Sequence, residues 1–312
     1  MTHYALITTL EFWEAGVTAE QPGPGSPGGP TVLRILLGAQ LRRLREAKGI
    51  TRDNAGYLIR SSDSKISRME LGRVGFKERD VADLLTLYGI TDDHERQALL
   101  GLARQANSPG WWHRYGDLLP SWFQAYIGLE EAATLIRTFE VQFVPGLLQT
   151  EDYARAVITQ GNPGSPTEEV EQRVGLRRQR QQLLSWSAPD GSGPRLWAVV
   201  DEAALRRPIG GRQVLRGQLE HLIEASELAN VTLQVLPFRV GGHAAEGGAF
   251  TILRFAEPDL PDVVYVEQLT SALYLDRLDD VDAYAAVMNR LDVESAPPRQ
   301  TVEILKGILQ ET

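Results

Sequence analysis

A change in hydrophobic periodicity along the chain is the feature that most constrains the fold. From Thr31 to Ala106, apolar residues recur at every third or fourth position in short stretches, which is typical of a series of short helices. From Leu196 onward, short runs rich in β-branched and aromatic residues alternate with helical stretches. The 312 residues exceed the length of one typical domain. The pattern therefore predicts a mainly α, five-helix N-terminal domain joined to a larger α+β C-terminal domain.

Two breaks in the sequence predict the domain boundaries. Eight of the ten residues 21–30 are proline or glycine, and such a run buries little apolar surface. A second break lies at Asn107-Ser108-Pro109-Gly110. We therefore expect an N-terminal extension and Pro/Gly linker over 1–30, the helical domain over 31–107 and the α+β domain over 108–312.

Helix-capping and helix-ending residues predict where the N-terminal helices lie. Gly49 and Gly72 end the first and third helices, while Thr51 and Ser62 cap the second and third. The inward positions of the second and third helices are expected to be Ala55, Leu58, Ile59, Ile66 and Met69. Later elements are expected as helices over 78–88, 92–106, 123–140, 150–159, 167–186, 211–228, 279–291 and 299–310, and as strands over 196–200, 231–236, 250–255 and 263–266.

Charge is distributed unevenly along the chain. The net charge is −9, but residues 31–80 hold twelve Lys/Arg and six acidic residues, so this segment carries +6 and the remainder −15. A basic module on an acidic remainder is typical of a localised contact with a polyanion. A solvated charged surface is the alternative interpretation.

The second and third helices, with the tight connection between them, have the spacing of a helix-turn-helix. A helix fits the major groove of double-stranded DNA, and side chains near its N-terminus reach base edges. The candidate base-reading residues are therefore Ser62, Asp63, Ser64, Lys65, Ser67 and Arg68. The candidate phosphate anchors are Arg42, Arg43, Arg52, Arg73 and Lys77. Two alternatives stay open, since Ser62 is also a good helix cap and Glu70 is placed to pair with a nearby arginine.

Four sequence blocks carry a resemblance to known regulators. LGAQLRRLREAKGIT (37–51) and SKISRMELGRV (64–74) resemble the Cro/cI-type, or XRE-family, helix-turn-helix regulators. With FVPGLLQTEDYAR (143–155) and VVYVEQL (263–269), the chain is similar to the WhiJ-like regulators of actinobacteria. The resemblance implies transcription regulation as a homodimer. It also implies a C-terminal domain that binds a small partner protein, in an arrangement similar to a toxin–antitoxin or activator–antagonist pair.

The role of the C-terminal domain stays open between several hypotheses. It could sense a small-molecule effector or a small partner protein, act as an antitoxin-like antagonist, or serve only to form a dimer. The candidate ligand or partner residues are Trp111, Trp112, Trp122 and His243, although core packing is the alternative for the tryptophans. An enzyme localised by its helix-turn-helix is the least favoured hypothesis, with Glu202, Glu246 and Glu267 as its candidate carboxylates.

Several classes of chemistry have no sequence signature here. The chain contains no cysteine, and its five histidines are scattered, so no disulfide and no metal site are expected. The only G-x-G-x-x-G match, at Gly23, Gly25 and Gly28, lies in the linker rather than between a strand and a helix. We expect neither an enzyme nor a cofactor. Without a long apolar stretch or a secretory signal pattern, we expect a cytoplasmic protein with no membrane partner.

Overall fold

The computed structural model describes residues 29–185, 193–256 and 260–312. The chain divides into two compact units, with the boundary between Gly110 and Trp111. The predicted N-terminal extension and most of the predicted linker lie outside the described residues. Pro30, which was assigned to the linker, is the first residue of a helix. Proline fits there because the first N–H groups of a helix have no partner within the helix.

The N-terminal unit consists of short helices, as the sequence predicted. In order they are α1 (Pro30–Ala47), α2 (Arg52–Leu58), α3 (Asp63–Glu70), α4 (Glu78–Leu87) and α5 (Asp93–Ala106). Side-chain oxygens cap three of them, because Thr51, Ser62 and Asp92 each accept a hydrogen bond from a backbone N–H in the first turn of α2, α3 and α5. Individual helices of this length are marginal in water, so their stability comes from packing together.

A single apolar core joins the five helices. Its fully buried members come from every helix and include Leu37, Leu41, Ala55, Ile66, Val81, Leu84 and Ala103. The prediction that Leu58 faces inward was wrong, since this residue is 44% exposed. Leu58 is the last residue of α2, and Ile59, which follows it and was also predicted to face inward, is buried.

The C-terminal unit is an α+β domain with a six-stranded mixed sheet. Its helices are α6 (Ser121–Ala132), α7 (Glu151–Gly161), α8 (Thr167–Ser185), α9 (Glu202–Arg206), α10 (Arg212–Ala225), α11 (Leu278–Glu294) and α12 (Pro298–Glu311). Its strands are β1 (Leu135–Glu140), β2 (Arg195–Asp201), β3 (Val231–Leu236), β4 (Phe250–Arg254), β5 (Val263–Glu267) and β6 (Ala272–Leu275). Three 3₁₀ segments, Trp111–Leu118, Gly146–Leu148 and Phe238–Val240, complete the described elements.

The strand order is β3-β2-β1-β4-β5-β6. Strands β1, β2 and β3 are parallel, β4 is antiparallel to β1, and β5 is antiparallel to β4. Strand β5 therefore runs in the same direction as β1, β2 and β3. The carboxyl ends of these four strands meet at one edge of the sheet.

The two faces of the sheet differ in polarity. One face carries Phe139, Val199, Phe250 and Val264, which pack with Met288 of α11 in an apolar core. The opposite face is partly polar where it meets α6, since Tyr126 of α6 lies with its ring centroid 4.2 Å from that of Tyr265 on β5. Polar side chains on a covered sheet face are unusual and require partners.

The predicted helix over 123–140 was wrong in its second half. Helix α6 ends at Ala132, and Leu135–Glu140 forms β1, which lies between β2 and β4 and pairs with both. In a short, mostly apolar segment such as LIRTF, periodicity alone does not tell a helix from a buried strand. Strand β6 and the five-residue helix α9 were not predicted.

Candidate nucleic-acid interface

Helices α2 and α3 form a helix-turn-helix with a tight connection. The turn reverses at Arg60, whose φ of 54° lies in the left-handed region, and the Ser61 N–H donates to the Gly56 carbonyl over 2.8 Å. A Cβ on Gly56 would lie 3.0 Å from both the Ser61 oxygen and the Ser62 carbonyl carbon. The glycine therefore permits the close approach of the connection to α2.

Helix α1 packs against the C-terminal end of α3 and approaches it closely at a second glycine. A Cβ on Gly38 would lie 2.4 Å from the Met69 carbonyl oxygen and 2.7 Å from the Glu70 carbonyl oxygen. These atoms belong to backbone and cannot rotate away. Gly38 therefore determines how α3 is seated on the N-terminal domain.

Substitution of Gly38 by alanine is expected to destabilise the N-terminal domain by about 1–3 kcal/mol or more, because the added methyl group forces α1 and α3 apart. Gly101→Ala is the matched control, since Gly101 is also helical and its Cβ would meet only the Arg104 guanidinium at 3.8 Å. Alanine should stabilise α5 there by up to ~1 kcal/mol. Thermal melts followed by circular dichroism measure both effects, and equal melting temperatures for the two variants would contradict the close approach.

A buried ion pair links α1 to the end of α3. The Arg45 guanidinium donates from Nε and Nη2 to the two Glu70 carboxylate oxygens, over 2.5 and 3.0 Å, and from Nη1 to the Ile50 carbonyl over 2.8 Å. The hydrogen bond to Glu70 is the main cause that raises the pKa of Arg45. Glu70 thus has the orienting role that the sequence left open.

Three of the predicted base-reading residues have structural partners. Ser62 caps α3 by accepting from the Lys65 N–H over 3.3 Å. The Lys65 ammonium forms an ion pair with Asp80 of α4 over 2.6 Å, and its side chain is 27% exposed. The Ser67 hydroxyl accepts a hydrogen bond from Arg52 over 3.2 Å. The geometry therefore places Lys65 against α4 rather than among the exposed side chains of α3.

The remaining base-reading candidates lie on the exposed side of α3. Asp63, Ser64 and Arg68 are all exposed. Their contacts are local, since Ser64 donates to Asp63 over 3.2 Å and Arg68 Nε donates to the Ser64 carbonyl over 3.3 Å. Weak local contacts of this kind are readily exchanged for hydrogen bonds to a base or a phosphate.

The predicted phosphate anchors are exposed on the same domain. Arg42 pairs with Glu46 over 3.0 Å and Arg43 donates to Gln40 over 2.7 Å, both on the solvent side of α1. Arg52, Arg73 and Lys77 are also exposed. An exposed ion pair such as that of Arg42 and Glu46 contributes at most ~1 kcal/mol, so a phosphate can compete with Glu46 for Arg42.

Tyr57 is a further candidate that the sequence analysis did not identify. It lies near the end of α2 and is 86% exposed, next to Leu58, which is 44% exposed. The feature of the sequence that could have identified Tyr57 is its position, two residues after Ala55 and two before Ile59, which are both buried. This spacing directs Tyr57 away from the core.

Comparison with known families supports the two-domain organisation. A helix-turn-helix domain family matches residues 36–99. A family described as a domain of unknown function, DUF5753, matches residues 123–307, which is more than half of the chain. The chain belongs to the DUF5753 family. Comparison with curated proteins and with solved structures found no match. The helix-turn-helix domain indicates DNA binding and transcription regulation.

The aromatic candidates lie in or beside the core of the unit that contains the DUF5753 match. Trp112 is buried with Leu119, Ile127 and Leu176, and Trp111 packs against the same cluster. The Trp111 indole donates to Glu131 over 3.1 Å. Trp122 is half-buried. These positions favour packing over a ligand-contacting role for Trp111 and Trp112.

His243 and the three candidate carboxylates of the DUF5753 domain are spread over several segments. His243 Nδ1 accepts from the Ala245 N–H over 3.2 Å, within its own loop. Glu202 accepts from the Arg206 side chain and the Phe238 N–H, over 2.7 and 2.9 Å. Glu246 is exposed in the loop before β4, and Glu267 ends β5.

The residues that the structure describes contain no group of three or more His, Cys, Asp or Glu side chains that could hold a metal ion. None of the described helices has the length and apolar character of a membrane span.

Proposed function

We propose that the chain is a sequence-specific transcription regulator of the Cro/cI, or XRE, class, similar to the WhiJ-like regulators. The observation that carries this proposal is the exposed side of α3, which presents Ser64 in the first turn and Arg68 in the last turn on a basic domain. An exposed helix of this kind, seated by Gly38 and by the Arg45–Glu70 pair, is suited to the major groove.

The contacts of individual residues suggest different roles at the DNA. Arg68 can donate two hydrogen bonds to a guanine, and Ser64 can contact a base or a phosphate. Arg52, at the first position of α2, is exposed and positively charged, which favours a phosphate contact. Lys65 would position α3 through Asp80 and contribute less to base reading.

The DUF5753 domain is proposed to provide dimerisation and sensing of a ligand or small partner protein. The support is its acidic charge, since residues 111–312 hold 18 Lys/Arg and 28 Asp/Glu and so carry −10. A homodimer would place two copies of α3 one helical turn apart, ~34 Å, on an inverted repeat.

Selection of bound fragments from genomic DNA by the purified chain, at two salt concentrations, tests the proposal. We expect an inverted repeat that is retained at the higher salt concentration, because base contacts survive when phosphate contacts are screened. Only diffuse retention that vanishes with salt would contradict sequence-specific regulation. It would favour the antitoxin-like alternative, in which the main role is to bind a small protein.

Two arginine variants should separate base reading from phosphate binding. Arg68→Ala is expected to cost ~1–3 kcal/mol on the selected operator and to relax the preference at one base pair. Arg52→Ala is expected to weaken binding to all sequences and to lower the slope of log K against log salt by ~1. Arg216→Ala, which removes an exposed arginine of α10 paired with Glu220, is the control and should leave both unchanged. Fluorescence anisotropy on operator variants measures the DNA affinity of all three protein variants. An unchanged base preference in Arg68→Ala would remove Arg68 from the base-reading residues.

A further inference from the structure

Of the two acidic residues of α3, only Asp63 is exposed. It is the first residue of the helix and belongs to the basic segment 31–80, which carries +6. Glu70, the other acidic residue, is buried against Arg45. Phosphates repel a carboxylate, so an exposed carboxylate on the helix that faces the DNA lowers the affinity unless it makes a favourable contact there.

Asp63 has no cationic partner among the residues that the structure describes. Its carboxylate accepts one side-chain hydrogen bond, from the Ser64 hydroxyl over 3.2 Å. The Lys65 ammonium, two residues later, lies 2.6 Å from the Asp80 carboxylate of α4, and Arg68 Nε donates to the Ser64 carbonyl over 3.3 Å. An ionised carboxylate has about four acceptor positions, so Asp63 keeps positions for a further donor.

Stabilisation of α3 explains an acidic residue at this position only in part. A carboxylate in the first turn interacts favourably with the helix dipole. Ser62 already caps α3 by accepting from the Lys65 N–H, and Asp53 has a similar place in the first turn of α2. The two aspartates share the dipole interaction, so a role special to Asp63 must come from its position on α3.

The groups on the base edges decide which contact a carboxylate can make in the major groove. Guanine presents two acceptors there and thymine one, all of which repel a carboxylate, and adenine presents an acceptor beside its amino group. Cytosine presents an amino donor and no acceptor. Cytosine is therefore the base that a carboxylate at the N-terminus of α3 contacts without repulsion.

We propose that Asp63 is a specificity-determining residue that accepts a hydrogen bond from the amino group of a cytosine, so that each half-site of the operator carries a C·G pair at the first turn of α3. This inference rests on the proposed function and deepens it by naming a base of the operator. The contact is selective, because with guanine or thymine at that position the carboxylate loses its hydrogen bonds to water without gaining a donor.

Asp63 and Arg68 contact different base pairs in this arrangement. The two residues are five positions apart on α3, which is ~7.5 Å along the axis at ~1.5 Å per residue. Successive bases of one strand are ~3.4 Å apart. The cytosine contact of Asp63 is therefore separate from the guanine contact of Arg68, and variants of the two residues should relax the preference at different positions of the operator.

Fluorescence anisotropy of the full chain on operator variants tests the assignment. The wild-type chain should prefer C·G by about tenfold or more at one position of each half-site. Asp63→Ala should lose this preference and bind unrelated DNA at least as well as the wild type, because a negative charge has been removed near the phosphates. Asp63→Asn should shift the preference toward adenine, since asparagine pairs with adenine N6 and N7.

Asp53→Asn is the matched control. It also removes a carboxylate from the first turn of a helix, but from α2, and should leave every base preference unchanged. Circular dichroism verifies that each variant is folded. If Asp63→Ala and Asp63→Asn keep the wild-type preferences, or weaken binding to all sequences alike, Asp63 stabilises the helix and contacts no base.

A change in the DNA isolates the amino group from the rest of the base. 2-Pyrimidinone is cytosine without its amino group, and at the assigned position it should weaken binding about tenfold more for the wild-type chain than for Asp63→Ala. Equal losses for the two proteins would overturn the proposal. A wild-type chain that selects no sequence would contradict the proposed function and this inference together, whereas a selected operator that is indifferent to Asp63 contradicts this inference alone.

Discussion

Replacement of Arg45 by methionine is expected to destabilise the N-terminal domain by about 3–5 kcal/mol, because it leaves the buried Glu70 carboxylate without its cation. Small domains have total stabilities of ~5–15 kcal/mol, so this loss is a large fraction of the whole. The Ile50 carbonyl also loses a hydrogen bond from the guanidinium. Urea denaturation followed by circular dichroism measures the change, and DNA binding should be lost in parallel.

Arg42→Met is the control for this prediction. Arg42 lies one turn earlier on α1, and its side chain is 56% exposed beside Glu46. Such an i,i+4 pair contributes only about 0.3–0.5 kcal/mol. The double variant Arg45→Met/Glu70→Leu removes both buried charges and should recover much of the lost stability. If Arg45→Met and Arg42→Met were equally stable, the buried pair would have no special role in the domain.

Replacement of Arg180 by methionine is expected to destabilise the C-terminal domain by a similar ~3–5 kcal/mol. It leaves the Glu130 carboxylate buried between helices α6 and α8 and also removes the cation from the rings of Phe123 and Tyr126. Tryptophan fluorescence follows this domain, because Trp111, Trp112 and Trp122 lie in it. Arg178→Met, at the exposed neighbouring position, should have little effect.

The double variant Arg180→Met/Glu130→Leu gives a second readout. It removes both buried charges and should recover much of the lost stability. If the double variant were as unstable as Arg180→Met, packing rather than the unpaired charge would be the cause of the loss.

The N-terminal helices could be predicted from sequence because their signals are local. Thr51 and Ser62 cap the helices they precede, and Gly72 follows α3 with a φ of 63°, a conformation that few other residues adopt readily. The partner of Lys65 could not be predicted in the same way. Asp80 lies fifteen residues later, and only the packing of α4 on α3 brings its carboxylate within 2.6 Å.

The C-terminal sheet was harder to predict because it depends on pairing between distant strands. Strand β1 was assigned to a helix, since Leu135–Glu140 begins with two adjacent apolar residues and lacks the strict alternation of apolar and polar residues that indicates a strand. The hydroxyl oxygens of Thr138 and Thr251 lie 3.0 Å apart although the two residues are 113 positions apart in the chain, so only the fold brings them together.

The ion pair between Lys65 and Asp80 has a consequence for how regulators with this architecture diverge. Asp80 lies on α4, outside the helix-turn-helix, yet it decides whether the first turn of α3 offers an additional cation to the DNA. An aspartate-to-asparagine change there would release the ammonium group without altering a single residue of α3. Under the proposed function, operator preference can therefore change through a neighbouring helix, and two relatives with identical α3 sequences need not bind the same DNA site.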